Sequence, residues 1–125
     1  MVKHVMLIED EPNIVEAIRF LLTRDGFRVS CHHGGDDALD AVRAERPDAL
    51  ILDVMLPGRS GIDILRELRA EPSTADLPVM MLTACGQGRD RDMAAEAGAS
   101  LFMAKPFSNA EFLASLRSLL DKVAR

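Results

Sequence analysis

Acids, a hydroxyl and an amine recur in this chain directly after short apolar runs. HVMLI (His4–Ile8) runs into Glu9, Asp10 and Glu11, and ALIL (Ala49–Leu52) into Asp53. VMML (Val79–Leu82) runs into Thr83-Ala84, and LFMA (Leu101–Ala104) into Lys105-Pro106-Phe107. Acids that converge repel: two like charges ~4 Å apart at an effective dielectric of ~20 cost about 4 kcal/mol. A hard divalent cation relieves that cost, and Mg²⁺ suits because it keeps waters and favours carboxylate and phosphate oxygens. With such a cation in place, one carboxylate can attack phosphorus. That step is assisted mainly by positioning and by neutralising charge on the equatorial oxygens. Glu9, Asp10 and Asp53 are therefore candidate metal ligands, with Asp53 the candidate nucleophile and Thr83 and Lys105 candidate phosphoryl contacts.

That convergence requires the apolar runs to be neighbouring strands that end on one edge. Stretches of helical period lie between them. Ile14, Ala17, Ile18, Leu21 and Leu22 mark one face of a first helix, with Pro12 in its first turn and Gly26 as its stop. Ala38, Ala41 and Val42 predict a second, capped by Asp36 or Gly35 and ending before Pro47. Leu65 and Leu68 place a third; Met93, Ala94 and Ala97 a fourth ending at Gly98. The last carries Phe112, Leu113, Leu116, Leu119, Leu120 and Val123 behind a capping box, Ser108 to Glu111. Four strands are continuously apolar, as in a parallel sheet covered on both faces, whereas FRVSC (Phe27–Cys31) alternates and belongs at an edge. The expected fold is α/β, a flavodoxin-like doubly wound (βα)5 with a five-stranded parallel sheet in the order 2-1-3-4-5, in one domain over 1–125. In such a sheet, ligands bind beyond the carboxyl ends of the strands.

Composition narrows the functions. The chain has 125 residues, 48% of them apolar, enough to bury roughly two-thirds of its unfolded surface. No apolar stretch approaches the ~20 residues that span a bilayer, and no signal peptide precedes the first strand, so a cytoplasmic protein is expected. Cys31 and Cys85 form neither a CxxC nor a metal spacing and read as reduced thiols. A net charge of −5, with no Trp or Tyr to stack on bases, argues against a nucleic-acid surface.

The residues match a known family. LIEDEP, LDVMLPGRSG, MLTA and GASLFMAKPF stand in order and spacing similar to the receiver domain of two-component response regulators, over essentially the whole chain. The resemblance implies that Asp53 is phosphorylated by a sensor histidine kinase or histidine phosphotransfer protein with Mg²⁺, in a switch that shifts the face formed by helix 4, strand 5 and helix 5. It implies a phosphoacceptor that assists its own phosphotransfer and autodephosphorylation, not an enzyme in its own right. Glu9 and Asp10 match the acidic metal pair, and Met55 the position whose backbone carbonyl reaches the metal. Thr83 matches the switch hydroxyl, Phe102 the switch aromatic and Lys105 the family lysine; the Lys105-Pro106 bond matches one that is cis in the family. Receivers joined to winged-helix domains often carry acids where this chain has Ser100 and Leu101 and an arginine at Ser115. In those receivers such charges bridge a symmetric dimer across the last two helices and last strand; their absence here argues against it, leaving a monomer or a weak phosphorylation-dependent dimer.

Other readings of these residues fit less well. Glu9 to Glu11 could be ordinary helix-start acids; Asp53 and Lys105 favour a site, with Glu11 kept as a cap. An aspartyl phosphatase of the haloacid dehalogenase type needs a second Asp at Met55, and an FMN carrier needs a phosphate loop where EDEP stands. A degenerate receiver serving as a phosphorylation-independent scaffold is the alternative function. His32-His33 read as surface histidines, Arg89 to Asp92 as a solvated helix face, and Cys85 as a loop residue. Gly86 and Gly88 predict a loose entry to the fourth helix, each costing ~1 kcal/mol relative to Ala.

Overall fold

Burial on both faces explains the uninterrupted apolar strands. In the computed structural model, which describes residues 2–84 and 88–123, the strands are β1 (His4–Ile8), β2 (Arg28–His32), β3 (Ala49–Asp53), β4 (Val79–Thr83) and β5 (Leu101–Ala104). The helices are α1 (Pro12–Arg24), α2 (Ala38–Glu45), α3 (Gly61–Ala70), α4 (Arg89–Ala97) and α5 (Asn109–Val123). All strand pairs are parallel, in the order β2-β1-β3-β4-β5, the flavodoxin-like arrangement expected. Successive side chains alternate between two cores. Val5, Leu7, Ile51, Met80 and Leu82 pack against α1 and α5; Met6, Ile8, Leu50, Leu52 and Met81 pack against α2, α3 and α4. The edge strands β2 and β5 stay partly exposed.

Four boundaries differ from expectation. β3 and β4 each run one residue further, taking in Asp53 and Thr83, which pair with Leu82 and Ala104. Asp53 and Thr83 thus belong to the sheet, whereas Glu9, Asp10 and Lys105 stand just past strand ends. The edge strand lies one residue later than FRVSC. The N-cap of α2 is Asp37, and it makes no side-chain bond. Gly35 and Asp36 are engaged elsewhere: the Gly35 N–H donates to Pro57 O (3.0 Å), and the Asp36 carboxylate lies against Gly58. Glu11 is the N-cap of α1 by position, but its side chain does not cap. At α5, Ser108 Oγ accepts from the Glu111 N–H (3.0 Å), one half of the capping box. Gly88 stands at the N-cap of α4 with φ +60°, outside the helix body, so the helix-interior penalty does not apply to it. The expectations for Cys85 and Gly86 fall outside the described residues, as does the Val123 side chain.

Two polar hubs lie within this frame. His4 is 7% exposed: Arg28 donates to its Nδ1 (3.2 Å), its Nε2 faces Ser30 Oγ (2.8 Å), and its N–H reaches Asp48 (2.7 Å). Burial, then the Arg28 charge, hold its imidazole below the usual range. Arg69 leaves α3 to donate to Leu77 O (2.7 Å) and Gly98 O (2.9 Å), tying the start of β4 to the C-terminal end of α4.

Gly61 seats α3 directly beneath the end of β3. Its N–H donates to Val54 O (2.9 Å), and a Cβ there would lie 2.0 Å from Asp53 O. Gly61→Ala therefore displaces either α3 or Asp53, and the domain should lose about 1–3 kcal/mol in urea unfolding. A change within ~0.5 kcal/mol would show that the contact relaxes freely.

Candidate functional site

In the strand order 2-1-3-4-5 the topology reverses between β1 and β3, and a cleft opens beyond their carboxyl ends. Glu9 and Asp10 follow β1, and Asp53 ends β3, so these acids face the cleft from adjacent strands. One oxygen from each of Glu9, Asp10 and Asp53 lies within 4.8 Å of the other two, and among the described residues no other such group of possible metal ligands occurs. Glu9 and Asp53 are buried and Asp10 is exposed, so the cluster has one wet side.

Lys105 arrives from β5. Its Nζ donates to Glu9 Oε1 at 2.7 Å and lies 3.4 Å from Asp53 Oδ2. The peptide bond that follows, to Pro106, is cis. The backbone N–H groups of Glu11 and Met55 add contacts to Glu9 Oε2 (3.1 Å) and Asp53 Oδ1 (3.4 Å). Met55 turns its side chain into solvent and touches the site through its backbone.

Two buried carboxylates beside one ammonium cannot both hold charge cheaply. Burial, then the neighbouring Glu9, push the Asp53 carboxyl up to about 7. Burial also pushes Glu9 upward, but the Lys105 hydrogen bond and the bond with Asp53 outweigh it and leave Glu9 below its usual range. Burial opposes the Lys105 charge, yet the two acids raise its value overall. Glu9 and Lys105 form the closer ion pair, and Asp53 is the acid whose charge is disfavoured. The donor set of hard oxygens with excess negative charge fits a small divalent cation.

Thr83, at the end of β4, is buried and donates its hydroxyl to Asp90 Oδ2 at 3.3 Å. Phe102 is half-buried against the α3–α4 core, and the Arg91 guanidinium lies 5.4 Å over its ring. The charged run at the start of α4 is thus not simply a solvated face: Asp90 and Arg91 each touch a residue singled out from the sequence. Nothing in RDRD announces this, because its alternating charges look neutral and surface-like. His32 is half-buried and meets Glu45 at 2.9 Å, while His33 is exposed.

The family model of the response regulator receiver domain matches residues 5–117. The chain belongs to the response regulator receiver family. Solved structures agree. The receiver domain of the sensor histidine kinase PA1611 from Pseudomonas aeruginosa, with a magnesium ion coordinated in its active-site cleft, is 30% identical. It is matched over 97% of this chain and 99% of that one, with a TM-score of 0.90. The BeF3-activated N-terminal receiver domain of Klebsiella pneumoniae RstA is 31% identical over 94% and 97% of the two chains, with a TM-score of 0.88. The signal receiver domain of a signal transduction histidine kinase from Syntrophus aciditrophicus is 28% identical over 99% and 94%, with a TM-score of 0.92. Receivers are phosphoacceptors of two-component signalling and not enzymes of the ordinary kind.

The Asp53 carboxyl titrates near 7 in the folded chain against an ordinary 3.8. Its proton stabilises the fold at low pH, and that contribution is lost as pH rises through 7. Glu9, held low, acts in the opposite sense and loses its contribution only as acid protonates it. In metal-free protein, Asp53→Asn should therefore gain stability relative to the native chain between about pH 5 and pH 8. Urea unfolding at both values reads the difference; one that does not change with pH would contradict the shifted carboxyl.

Proposed function

We propose that Asp53 accepts a phosphoryl group from a sensor histidine kinase or histidine phosphotransfer protein, and that residues 1–125 act as one receiver. One observation carries this reading: Asp53 lies in reach of both Lys105 Nζ, at 3.4 Å, and the Glu9–Asp10 carboxylates. An Asp53 oxygen forms a bond to phosphorus as the P–N bond to the donor imidazole breaks. The imidazole leaves with the electron pair and takes a proton from water. Glu9, Asp10 and Asp53, with the Met55 carbonyl, would hold Mg²⁺, which when bound neutralises charge on the phosphoryl oxygens and favours the ionised Asp53. Lys105 supplies a fixed positive contact, and the Thr83 hydroxyl another donor.

The partner has a place to dock. A mostly apolar groove of about 440 Å³, lined by Ile14, Ala17, Pro106 and Phe107 among others, opens beside Lys105. A helix carrying the donor histidine laid along it reaches the cleft. The output runs through Thr83 and Phe102 to the α4–β5–α5 face, in a cytoplasmic protein that is monomeric or weakly dimeric when phosphorylated.

Incubation with acetyl phosphate and Mg²⁺, followed by mass spectrometry, tests the reading. One phosphoryl adduct should map to Asp53, disappear with EDTA and be absent in Asp53→Asn. Lys105→Met should slow labelling by at least about tenfold. No adduct on the native chain would favour the phosphorylation-independent scaffold instead.

A further inference from the structure

The first turn of α4 carries two neighbouring residues that hold two different parts of the proposed switch. Asp90 accepts the Thr83 hydroxyl proton at 3.3 Å, and Arg91 covers the Phe102 ring at 5.4 Å. A hydroxyl has a single proton to donate, so donation to Asp90 and donation to a phosphoryl oxygen on Asp53 exclude one another. We propose that Asp90 is a latch for the unphosphorylated conformation, competing with the phosphoryl group for Thr83, while Arg91 keeps Phe102 covered as long as the latch is closed. This rests on Asp53 being the phosphoacceptor.

The geometry suits a latch that opens. An O–H···O contact of 3.3 Å is long, hence weak. The helix that carries it is lightly held, since only Ala94 and Ala97 of α4 are buried. Its far end is fixed, because Arg69 grips Gly98 O at 2.9 Å. Release of Asp90 therefore frees the N-terminal turn about an anchored C-terminal end. Arg91, next to Asp90 on that turn, leaves Phe102 in the same movement.

The whole chain is titrated with beryllofluoride at saturating Mg²⁺, binding being followed by amide NMR. Asp90→Ala should tighten apparent binding about three- to tenfold, the worth of one modest hydrogen bond, and Asp90→Asn should shift it in the same direction. Arg91→Ala should tighten it too, less than additively with Asp90→Ala. In a Thr83→Val background the gain from Asp90→Ala should vanish. Asp92→Ala, which removes the same charge one turn position away without touching Thr83, should leave binding near native. No tightening in Asp90→Ala overturns the latch, as does equal tightening in the Thr83→Val background, which marks a charge effect alone. Failure of the native chain to take beryllofluoride at all overturns the phosphoacceptor reading and not the latch in particular.

Discussion

Two buried carboxylates share one ammonium at the carboxyl edge of the sheet, and the rest of the structure is organised around that arrangement. Glu9 is fully buried and Asp53 nearly so, yet Lys105 neutralises only one of them. Desolvating such a group costs several kcal/mol per ion unless its partners are well placed. Here they are placed by the most rigid parts of the fold. Adjacent central strands deliver Glu9 and Asp53, and β5 brings Lys105 across from the far edge. Asp53 bears the imbalance, its carboxyl pushed up to about 7 by burial and by Glu9. The same crowding supplies a cluster of hard oxygens, from Glu9, Asp10 and Asp53, that could hold a compact divalent ion.

The elements around the site differ in how firmly they are held, and that difference maps onto function. α3 buries Gly61, Ile62, Ile64, Leu65 and Leu68 and is seated under Asp53 by a glycine that admits no side chain. α4 buries only two alanines. One helix fixes Asp53 from below; the other is held more lightly. Arg69 joins the two, so a displacement of α4 has a fixed pivot instead of a loose end.

Much of this was legible in the residues. Continuous apolar runs require a two-sided parallel sheet, and a charged or hydroxyl side chain after each run requires that these groups meet at its carboxyl edge. The hidden parts share a physical cause: they depend on which of several identical groups a tertiary contact selects. RDRD presents balanced surface charge until Thr83 and Phe102 are set beside its first turn. His4 reads as one more strand residue until Arg28 and Ser30 pair with it from the edge strand. Asp36 looks like the cap of α2 until Gly58 draws the loop against it. Glu11 reads as a capping acid, yet its side chain makes no cap bond and its backbone N–H satisfies Glu9 instead. Periodicity fixes which face is buried, whereas side-chain pairing between distant segments has no local signature.

The central claim is that carboxylate crowding at this edge demands a divalent cation. Thermal unfolding with and without Mg²⁺ tests it most directly. At ten times Kd the bound ion adds about 1.4 kcal/mol, so the native chain should melt several degrees higher, and Asp10→Asn or Asp53→Asn should abolish the rise. An unchanged melting temperature at roughly 10–20 mM Mg²⁺, ample for a weak millimolar site, would contradict the account.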